Sequence, residues 1–215
     1  MLLIFTQRVI LENNAERQCF FCYLVPISLC SHSYRPSVID TFFALRFKRD
    51  DLPDDGFRSR TGSWRDPGLC LVDWGRGVDL SLFPAGTQFT GDSRTSGFRC
   101  IEMQENKLWT YQVDTYGLCV IVHMMLHGSY MCIEKKANSD GSYHYQPKTH
   151  LKRYWNVDLW KNLFSTLLNR NSNENDVPVL QSLRKSFEDC MSESPQLVRK
   201  LKELLAKQRA SLCSA

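Results

Sequence analysis

Apolar side chains cover every helical face of the stretch from Val113 to His127. This pattern predicts a helix that is buried all round, and Gly128 follows it where a C-terminal cap belongs. Apolar stripes that recur every three or four residues predict three further helices. They run over Leu159–Leu168, over Val179–Phe187, and from Ser194-Pro195 through Leu205. From Leu69 onward we therefore expect a mainly helical chain with one short strand, Leu69–Val72.

The first part of the chain lacks such periodicity. Residues 1–46 are apolar but irregular, whereas residues 48–68 are charged and rich in Gly and Pro. The second pattern is typical of an exposed loop. We expect residues 1–46 to be an unassigned, poorly ordered segment and residues 48–215 to form the folded domain.

Composition places the chain among ordinary folded proteins. Hydrophobic residues make up 43% of the 215 positions and charged residues 23%, which excludes collagen-like, low-complexity and wholly disordered chains. The net charge of +4 arises in the C-terminal third: from Lys148 onward, 12 basic and 7 acidic residues give +5, whereas residues 1–147 carry −1. A surplus this small gives no ground for nucleic-acid binding. The Lys and Arg of the last predicted helix are typical of a solvated helix surface rather than of a binding patch.

Cysteine spacing and the length of apolar runs indicate in which cellular compartment the chain would reside. The nine cysteines are an odd number at scattered spacings, which favours buried thiols in a reducing compartment over a secreted disulfide framework. Cys19 and Cys22 form a C-x-x-C without a second pair at zinc spacing, so an accidental apolar run is favoured over a metal or redox role. The run from Cys19 to Cys30 contains Pro26 and is shorter than the roughly 20 residues of a spanning helix. We therefore predict no membrane role and take the nucleus or cytosol as the default.

The chemically informative motifs begin after the predicted strand. Asp73-Trp74-Gly75 follows it, and an Asp-x-Gly in that place usually marks only a turn. Further on lie Thr95-Ser-Gly-Phe-Arg-Cys-Ile-Glu102 and then the apolar helix that opens with Val113-Asp114. This series resembles the second half of a protein kinase domain: the metal-binding Asp-Phe-Gly, the activation segment, the closing Ala-Pro-Glu, and a buried helix headed by Asp. Here Trp74 replaces Phe, and Cys100-Ile101 replaces Ala-Pro.

The amino-acid sequences of three stretches indicate which kinase family the chain resembles. Residues 71–84 (LVDWGRGVDLSLFP), 95–103 (TSGFRCIEM) and 109–117 (WTYQVDTYG) resemble the Bub family of mitotic spindle-checkpoint serine/threonine kinases, and the plant members most of all. The resemblance covers about Lys48 to Ala215. It implies a kinase-like C-terminal lobe, a helical bundle with a short β segment, without the N-terminal lobe. It also implies ATP and Mg²⁺ as cofactors, checkpoint and kinetochore proteins as partners, and a location at the kinetochore in the nucleus.

The same resemblance assigns roles along the activation segment, residues 73–102. Asp73 would bind the Mg²⁺ that bridges the ATP phosphates, since a hard cation prefers carboxylate oxygens. Thr95 occupies the position of the substrate-facing threonine of the family. Phe98 fills an aromatic position in the same loop.

Three more residues receive structural roles from the resemblance. Glu102 should pair with a buried arginine of a later helix, and Arg184 is the candidate because it lies in the apolar-faced helix that follows Val179. Asp114 should accept hydrogen bonds from the backbone of the catalytic loop. Without the resemblance, Glu102 would be an ordinary surface carboxylate and Asp114 a helix N-cap.

Other kinase motifs do not occur in the printed sequence. No His is followed two residues later by Asp, Gly75-Arg-Gly77 does not continue as a phosphate-binding loop, and only 72 residues precede Asp73. The catalytic base, the phosphate-binding lysine and the second metal ligand are thus without candidates, and phosphoryl transfer depends on all of them. We expect this chain to be catalytically incompetent as it stands. Two function classes remain: a partial checkpoint serine/threonine kinase domain, or a non-catalytic, pseudokinase-like interaction module.

Overall fold

The part of the chain that the structure describes is predominantly helical. The computed structural model describes residues 10–11, 53, 56–59, 61–62, 78–91, 97–170 and 176–203. In chain order the elements are β1 (Ile10–Leu11), α1 (Gly56–Ser59), β2 (Val78–Asp79), a 3-10 turn (Leu80–Leu82), α2 (Ile101–Gln104), α3 (Gln112–His127), β3 (Ile133–Ala137), β4 (Tyr143–Pro147), α4 (Val157–Leu168), α5 (Asp176–Ser192) and α6, described over 195–203. The prediction of a mainly helical chain is confirmed.

The described residues belong to two compact units. The first contains β1, β2 and the elements from α2 to α4; the second contains α1, α5 and α6. Within the first unit, β1 and β2 form a parallel pair in which Ile10 lies opposite Val78. The predicted strand Leu69–Val72, and the predicted segment 1–46 apart from β1, lie outside the described residues.

The predicted loop 48–68 contains a helical turn. Gly56–Ser59 form α1, and the amide of Thr61 closes the turn by donating to the carbonyl of Gly56 at 3.1 Å. Thr61 and Gly62 are exposed, as the loop prediction expected. Pro53 is also described, and its carbonyl accepts from the amide of Gly56 at 3.1 Å; the other residues of this loop lie outside the described residues.

Helix α3 is the core of the first unit. Of its 16 residues, 13 are buried, which confirms the prediction of a helix covered on all sides. It begins one residue before the predicted start, because the side chain of Gln112 turns back and its Oε1 accepts from the amide of Thr110 at 2.7 Å. It ends at the predicted cap, Gly128, whose φ of 70° is the left-handed conformation that glycine adopts without strain.

Helix α4 packs against α3 and against strand β4. Asn156 caps its first turn, since the side-chain oxygen accepts from the amide of Leu159. Its apolar stripe is buried and consists of Trp160, Leu163, Phe164, Leu167 and Leu168. Asn169 follows the other end of α4. Its side chain accepts from the amide of Tyr145 in β4 at 2.7 Å and donates to the carbonyl of Tyr145 at 2.9 Å, as a neighbouring strand would.

Helices α5 and α6 of the second unit follow their predicted stripes. In α5, Pro178 lies in the first turn, where its missing amide hydrogen is not needed. Leu183, Phe187 and Met191 of this helix are buried. None of the described helices has the length and hydropathy that crossing a bilayer requires.

The antiparallel hairpin of β3 and β4 was not predicted. Its register runs from Ile133 opposite Pro147 to Ala137 opposite Tyr143. The intervening turn contains Asp140, whose carboxylate accepts from the amide and the hydroxyl of Ser142. The charged residues of β3 conceal the alternation of a strand, whereas the Asp-Gly pair of the turn was a usable signal.

Glu105, just after α2, ties this hairpin to the rest of the first unit. Its Oε1 accepts hydrogen bonds from Lys135 Nζ at 2.5 Å and from the hydroxyl of Tyr145 at 2.6 Å. Its Oε2 lies 2.6 Å from Lys107 Nζ. Hydrogen bonds from Lys107, Lys135 and Tyr145 lower the pKa of Glu105 to about 2.

Replacing Glu105 with Gln should lower the free energy of unfolding by about 1 kcal/mol at pH 7, a value that allows for solvent screening of the two lysines. A carboxylate with a lowered pKa stabilises the folded state above its unfolded pKa of about 4.5 and loses that effect as the pH falls towards 2. The difference between the parent chain and Glu105→Gln, measured by urea unfolding from pH 7 to pH 3, should therefore shrink at the acidic end.

Glu134→Gln is the matched control for this measurement. Glu134 pairs with Lys136 and Gln146 inside the hairpin and does not link it to α2. Its replacement should change stability less than that of Glu105. A Glu105→Gln effect that stays constant across the pH range would contradict the assignment.

Candidate functional site

Four of the six predicted site residues are described. Phe98, Glu102 and Asp114 lie in the first unit, and Arg184 lies in the second. Asp73 and Thr95 are outside the described residues. The described part of the candidate site consists of the end of the predicted activation segment and the residues at the two ends of α3.

The predicted activation segment makes a tight turn at Gly97 and Phe98. Gly97 has a φ of +89°, and a Cβ atom added to it would lie 2.6 Å from Cδ1 of Tyr130. Phe98 is 1% exposed, and its ring meets that of Tyr130 edge to face at 6.0 Å between centroids. The predicted aromatic position at Phe98 thus holds a buried side chain that anchors the loop.

Helix α2 carries Glu102 in a half-buried position. Burial raises the pKa of Glu102, and a hydrogen bond with the Cys100 thiol acts in the opposite direction. Burial also raises the pKa of Cys100 to about 12, so this thiol stays neutral near pH 7. Cys100 is consequently a packing residue and a hydrogen-bond donor, whereas Glu102 is a carboxylate that a nearby cation would stabilise.

Gln104 connects the activation segment to α3. Its Nε2 donates to the carbonyl of Arg99 at 2.7 Å and lies 3.3 Å from the hydroxyl of Tyr116. Tyr116 is buried in α3, and burial raises the pKa of its hydroxyl to about 12. The hydroxyl is therefore a neutral partner that fixes α2 on the central helix.

Trp109 fixes the segment that precedes α3. It is fully buried, and its indole Nε1 donates to the carbonyl of Gly91 at 3.1 Å. Its backbone exchanges two hydrogen bonds with Phe89, at 2.9 and 3.0 Å. Trp109 thus joins the chain before Gly97, at Phe89 and Gly91, to the chain that leads into α3.

Asp114 is the third residue of α3, not its cap. The cap is Tyr111, whose carbonyl accepts from the amide of Asp114 at 2.9 Å. The alternative interpretation of Asp114 as an N-cap is therefore wrong, because the side chain of Gln112 organises the start of the helix one residue earlier. The role of Asp114 towards a catalytic loop stays a prediction.

Arg184 lies in the middle of α5. Its Nε is 3.5 Å from Oε1 of Glu188, one helical turn further on. Arg184 and Glu102 belong to different compact units. The predicted pair between them stays a prediction.

Sequence reasoning overlooked His123 and Tyr130. The ring of His123 is fully buried, and its Nδ1–H donates to the carbonyl of Ser129 at 2.9 Å. Burial lowers the pKa of His123, so the ring is neutral. It stacks on His127, with 4.4 Å between centroids. A histidine within an apolar helix was the available signal, whereas nothing in the sequence marks Tyr130 as a neighbour of Gly97.

A metal site is not formed by the residues that the structure describes. No group of three or more His, Cys, Asp or Glu side chains among them could hold an ion. The predicted Mg²⁺ ligand, Asp73, lies outside them. The role of Asp73 as a Mg²⁺ ligand therefore stays a prediction.

Comparison with known proteins agrees with the motifs. No protein-family model matches the chain. "Mitotic checkpoint serine/threonine-protein kinase BUB1" of Arabidopsis thaliana is 62% identical over 171 residues, which are 80% of this chain and 33% of that protein. The Schizosaccharomyces pombe "Spindle assembly checkpoint serine/threonine-protein kinase bub1" is 42% identical over 125 residues, 57% of this chain and 12% of that protein. The Mus musculus BUB1 kinase is 38% identical over 137 residues, 64% of this chain and 12% of that protein.

A solved structure matches as well. The "Crystal structure of BubR1 kinase domain" superposes with a TM-score of 0.57 and 25% sequence identity over 90% of this chain and 57% of that chain. Over the aligned residues, the chain is similar to Bub-family kinases. The family resemblance and the kinase-like C-terminal-lobe fold are thereby confirmed. The chain spans about a third of the length of the Arabidopsis relative and 12% of the length of the other two.

Gly97→Ala tests the turn at Gly97 and Phe98 in the predicted activation segment. The variant adds backbone strain and a clash with Tyr130, and it should lower the free energy of unfolding by about 2–3 kcal/mol. Gly91→Ala is the matched control, because Gly91 has a φ of +92° but no described atom within 4 Å of an added Cβ. Gly91→Ala should cost only the strain, about 1 kcal/mol. Equal losses in thermal unfolding would show that the Tyr130 contact does not matter.

Proposed function

We propose that this chain contributes the peptide-facing part of a Bub-family protein serine/threonine kinase domain. The observation that carries the proposal is the 62% identity to a BUB1 kinase over 171 residues. The geometry supports it, since Gly97 in the activation segment contacts Tyr130, just after the buried helix α3, and Gln104, just after the segment, contacts Tyr116 within that helix. A rigid support of this kind is what positioning a peptide hydroxyl requires.

The roles within that reaction follow the family. In the intact family, ATP with Mg²⁺ supplies the phosphoryl group, and the acceptor is a Ser or Thr hydroxyl of a protein. In this chain Asp73 is the proposed Mg²⁺ ligand, and Thr95 and Phe98 are the proposed residues of the substrate-facing loop. The proposed partners are checkpoint and kinetochore proteins, and the proposed location is the kinetochore in the nucleus.

The polypeptide with the printed sequence is proposed to be catalytically incompetent. Its sequence offers no His-x-Asp catalytic loop and no phosphate-binding glycine loop. This observation favours a second candidate function, that of a non-catalytic, pseudokinase-like module which binds kinetochore proteins through the same surface. Binding of Mg²⁺-ATP separates the two functions, because the second does not require it.

Purified residues 1–215 should show no Mg²⁺-ATP-dependent phosphorylation of histone-like substrates above background. The physical reason is that the base and the phosphate-binding lysine act together with the metal ligand, and residues that act as a unit fail together. Incorporation of labelled phosphate is the measurement, with Asp73→Ala as the test variant. Asp158→Ala, at an exposed position in the first turn of α4, is the control. Transfer that survives Asp158→Ala and disappears in Asp73→Ala would refute the proposed incompetence.

We further propose that Glu102 and Arg184 form an ion pair that ties the activation segment to α5. The half-buried position of Glu102 is the reason for proposing this pairing: burial raises the pKa of its carboxyl, and an adjacent guanidinium would lower that pKa by stabilising the ionised form. A double-mutant cycle with Glu102→Ala and Arg184→Ala should give a coupling energy of about 1–3 kcal/mol.

The pair of Arg184 with Glu188 supplies the internal control for that cycle. Both side chains are about a quarter exposed and one helical turn apart, so their coupling should be about 0.3–0.5 kcal/mol. Chemical unfolding of the single and double variants gives both values. A coupling near zero between positions 102 and 184, beside a measurable one between 184 and 188, would defeat the proposed pair.

A further inference from the structure

Tyr130 lies against the turn that ends the substrate-facing segment. Its ring occupies the space in which a side chain at position 97 would begin, with Cδ1 2.6 Å and Cε1 3.0 Å from the Cβ that glycine lacks. The same ring meets Phe98 edge to face, with the ring planes at 90°. Tyr130 remains 41% exposed. A partly exposed aromatic residue therefore touches two consecutive residues of the loop.

The position of Tyr130 is fixed from the side of α3. Gly128 ends the helix in the left-handed conformation, and its amide donates to the carbonyl of Met124 at 2.8 Å. The next carbonyl, that of Ser129, accepts from the buried ring of His123 at 2.9 Å. These two contacts immediately precede Tyr130 and set the direction in which the chain leaves the helix.

From these contacts we propose that Tyr130 is a positioning residue, which holds Gly97 and Phe98 in the conformation that the peptide-facing surface needs. The peptide-facing role of this turn rests on the proposed function, whereas the contact of Tyr130 with Gly97 and Phe98 does not. Glycine at position 97 is required for the ring to approach, yet glycine alone leaves the backbone free to adopt many conformations. The ring of Tyr130 removes that freedom, and the neutral His123 and the Gly128 cap keep the ring in place.

Loss of the ring should loosen the turn locally. An aromatic pair contributes about 0.5–1.5 kcal/mol beyond its buried area, which corresponds to a roughly three- to tenfold increase in local opening. The opening should be confined to Phe98, Arg99 and Cys100. Helix α3 is covered independently, so its exchange should change little.

Hydrogen exchange by mass spectrometry on the full 215-residue chain measures this opening. Tyr130→Ala should raise exchange at residues 98–100 roughly three- to tenfold, whereas Tyr130→Phe should leave it unchanged because the ring is kept. Tyr154→Ala is the matched control, since Tyr154 is a 70% exposed tyrosine of the same unit whose ring partner is Trp155. Unchanged exchange at 98–100 in Tyr130→Ala would overturn the proposal, as would an equal rise throughout α3, which indicates general destabilisation.

A spectroscopic signature separates positioning from general support. The Hα protons of Gly97 lie close to the ring of Tyr130 and should show a ring-current shift in the parent chain and in Tyr130→Phe. In Tyr130→Ala this shift should vanish while the resonances of α3 stay in place. Absence of the shift in the parent chain would also overturn the proposal. None of these readouts depends on phosphate transfer or nucleotide binding, so failure of the proposed function leaves them interpretable.

Discussion

The burial of α3 on nearly every face is the constraint on which the rest of the first unit depends. A helix with apolar residues on every face cannot be stable with one side in water, so other segments must cover it. Helix α4 covers one side with its apolar stripe, and the buried ring of Trp109 lies just before the helix begins. The cover also brings α2 into contact with α3, through Gln104 and Tyr116. The packing that shields α3 from solvent thus also holds the segment that is proposed to face a peptide.

The two ends of α3 fix the loops that the proposed function uses. At the start, Gln112 turns back on Thr110, and the adjacent Trp109 is bonded to Phe89. At the end, the Gly128 cap and the His123 hydrogen bond direct Tyr130 onto the activation segment. Polar groups within an otherwise apolar helix therefore act at its termini, where backbone groups lack helical partners. The burial of His123 is tolerable because its ring stays neutral.

The sequence allowed prediction of features that depend on local pattern. The course of α3, its cap at Gly128 and the stripe of α4 follow from apolar spacing, and the kinase-like lobe followed from short motifs around Glu102 and Asp114. The β3–β4 hairpin did not follow, because β3 places Glu and Lys where an alternating strand would show apolar residues. The contact between Gly97 and Tyr130 could not be predicted either. It depends on the direction in which the chain leaves α3, which side-chain hydrogen bonds decide.

Glu102 and Glu105 lie three residues apart, and their different surroundings shift their pKa values in opposite directions. Three hydrogen-bonding partners lower the pKa of Glu105, and burial raises the pKa of Glu102. Glu105 is satisfied within its own unit by two lysines and a tyrosine, so it serves as a structural link to the hairpin. In the same unit, Glu102 accepts a hydrogen bond from the Cys100 thiol and is attracted electrostatically by Lys107. A closer cation would stabilise its ionised form further. Of the two acids, Glu102 is therefore the one for which an ion pair with a residue from elsewhere in the chain is proposed, whereas Glu105 already has its partners.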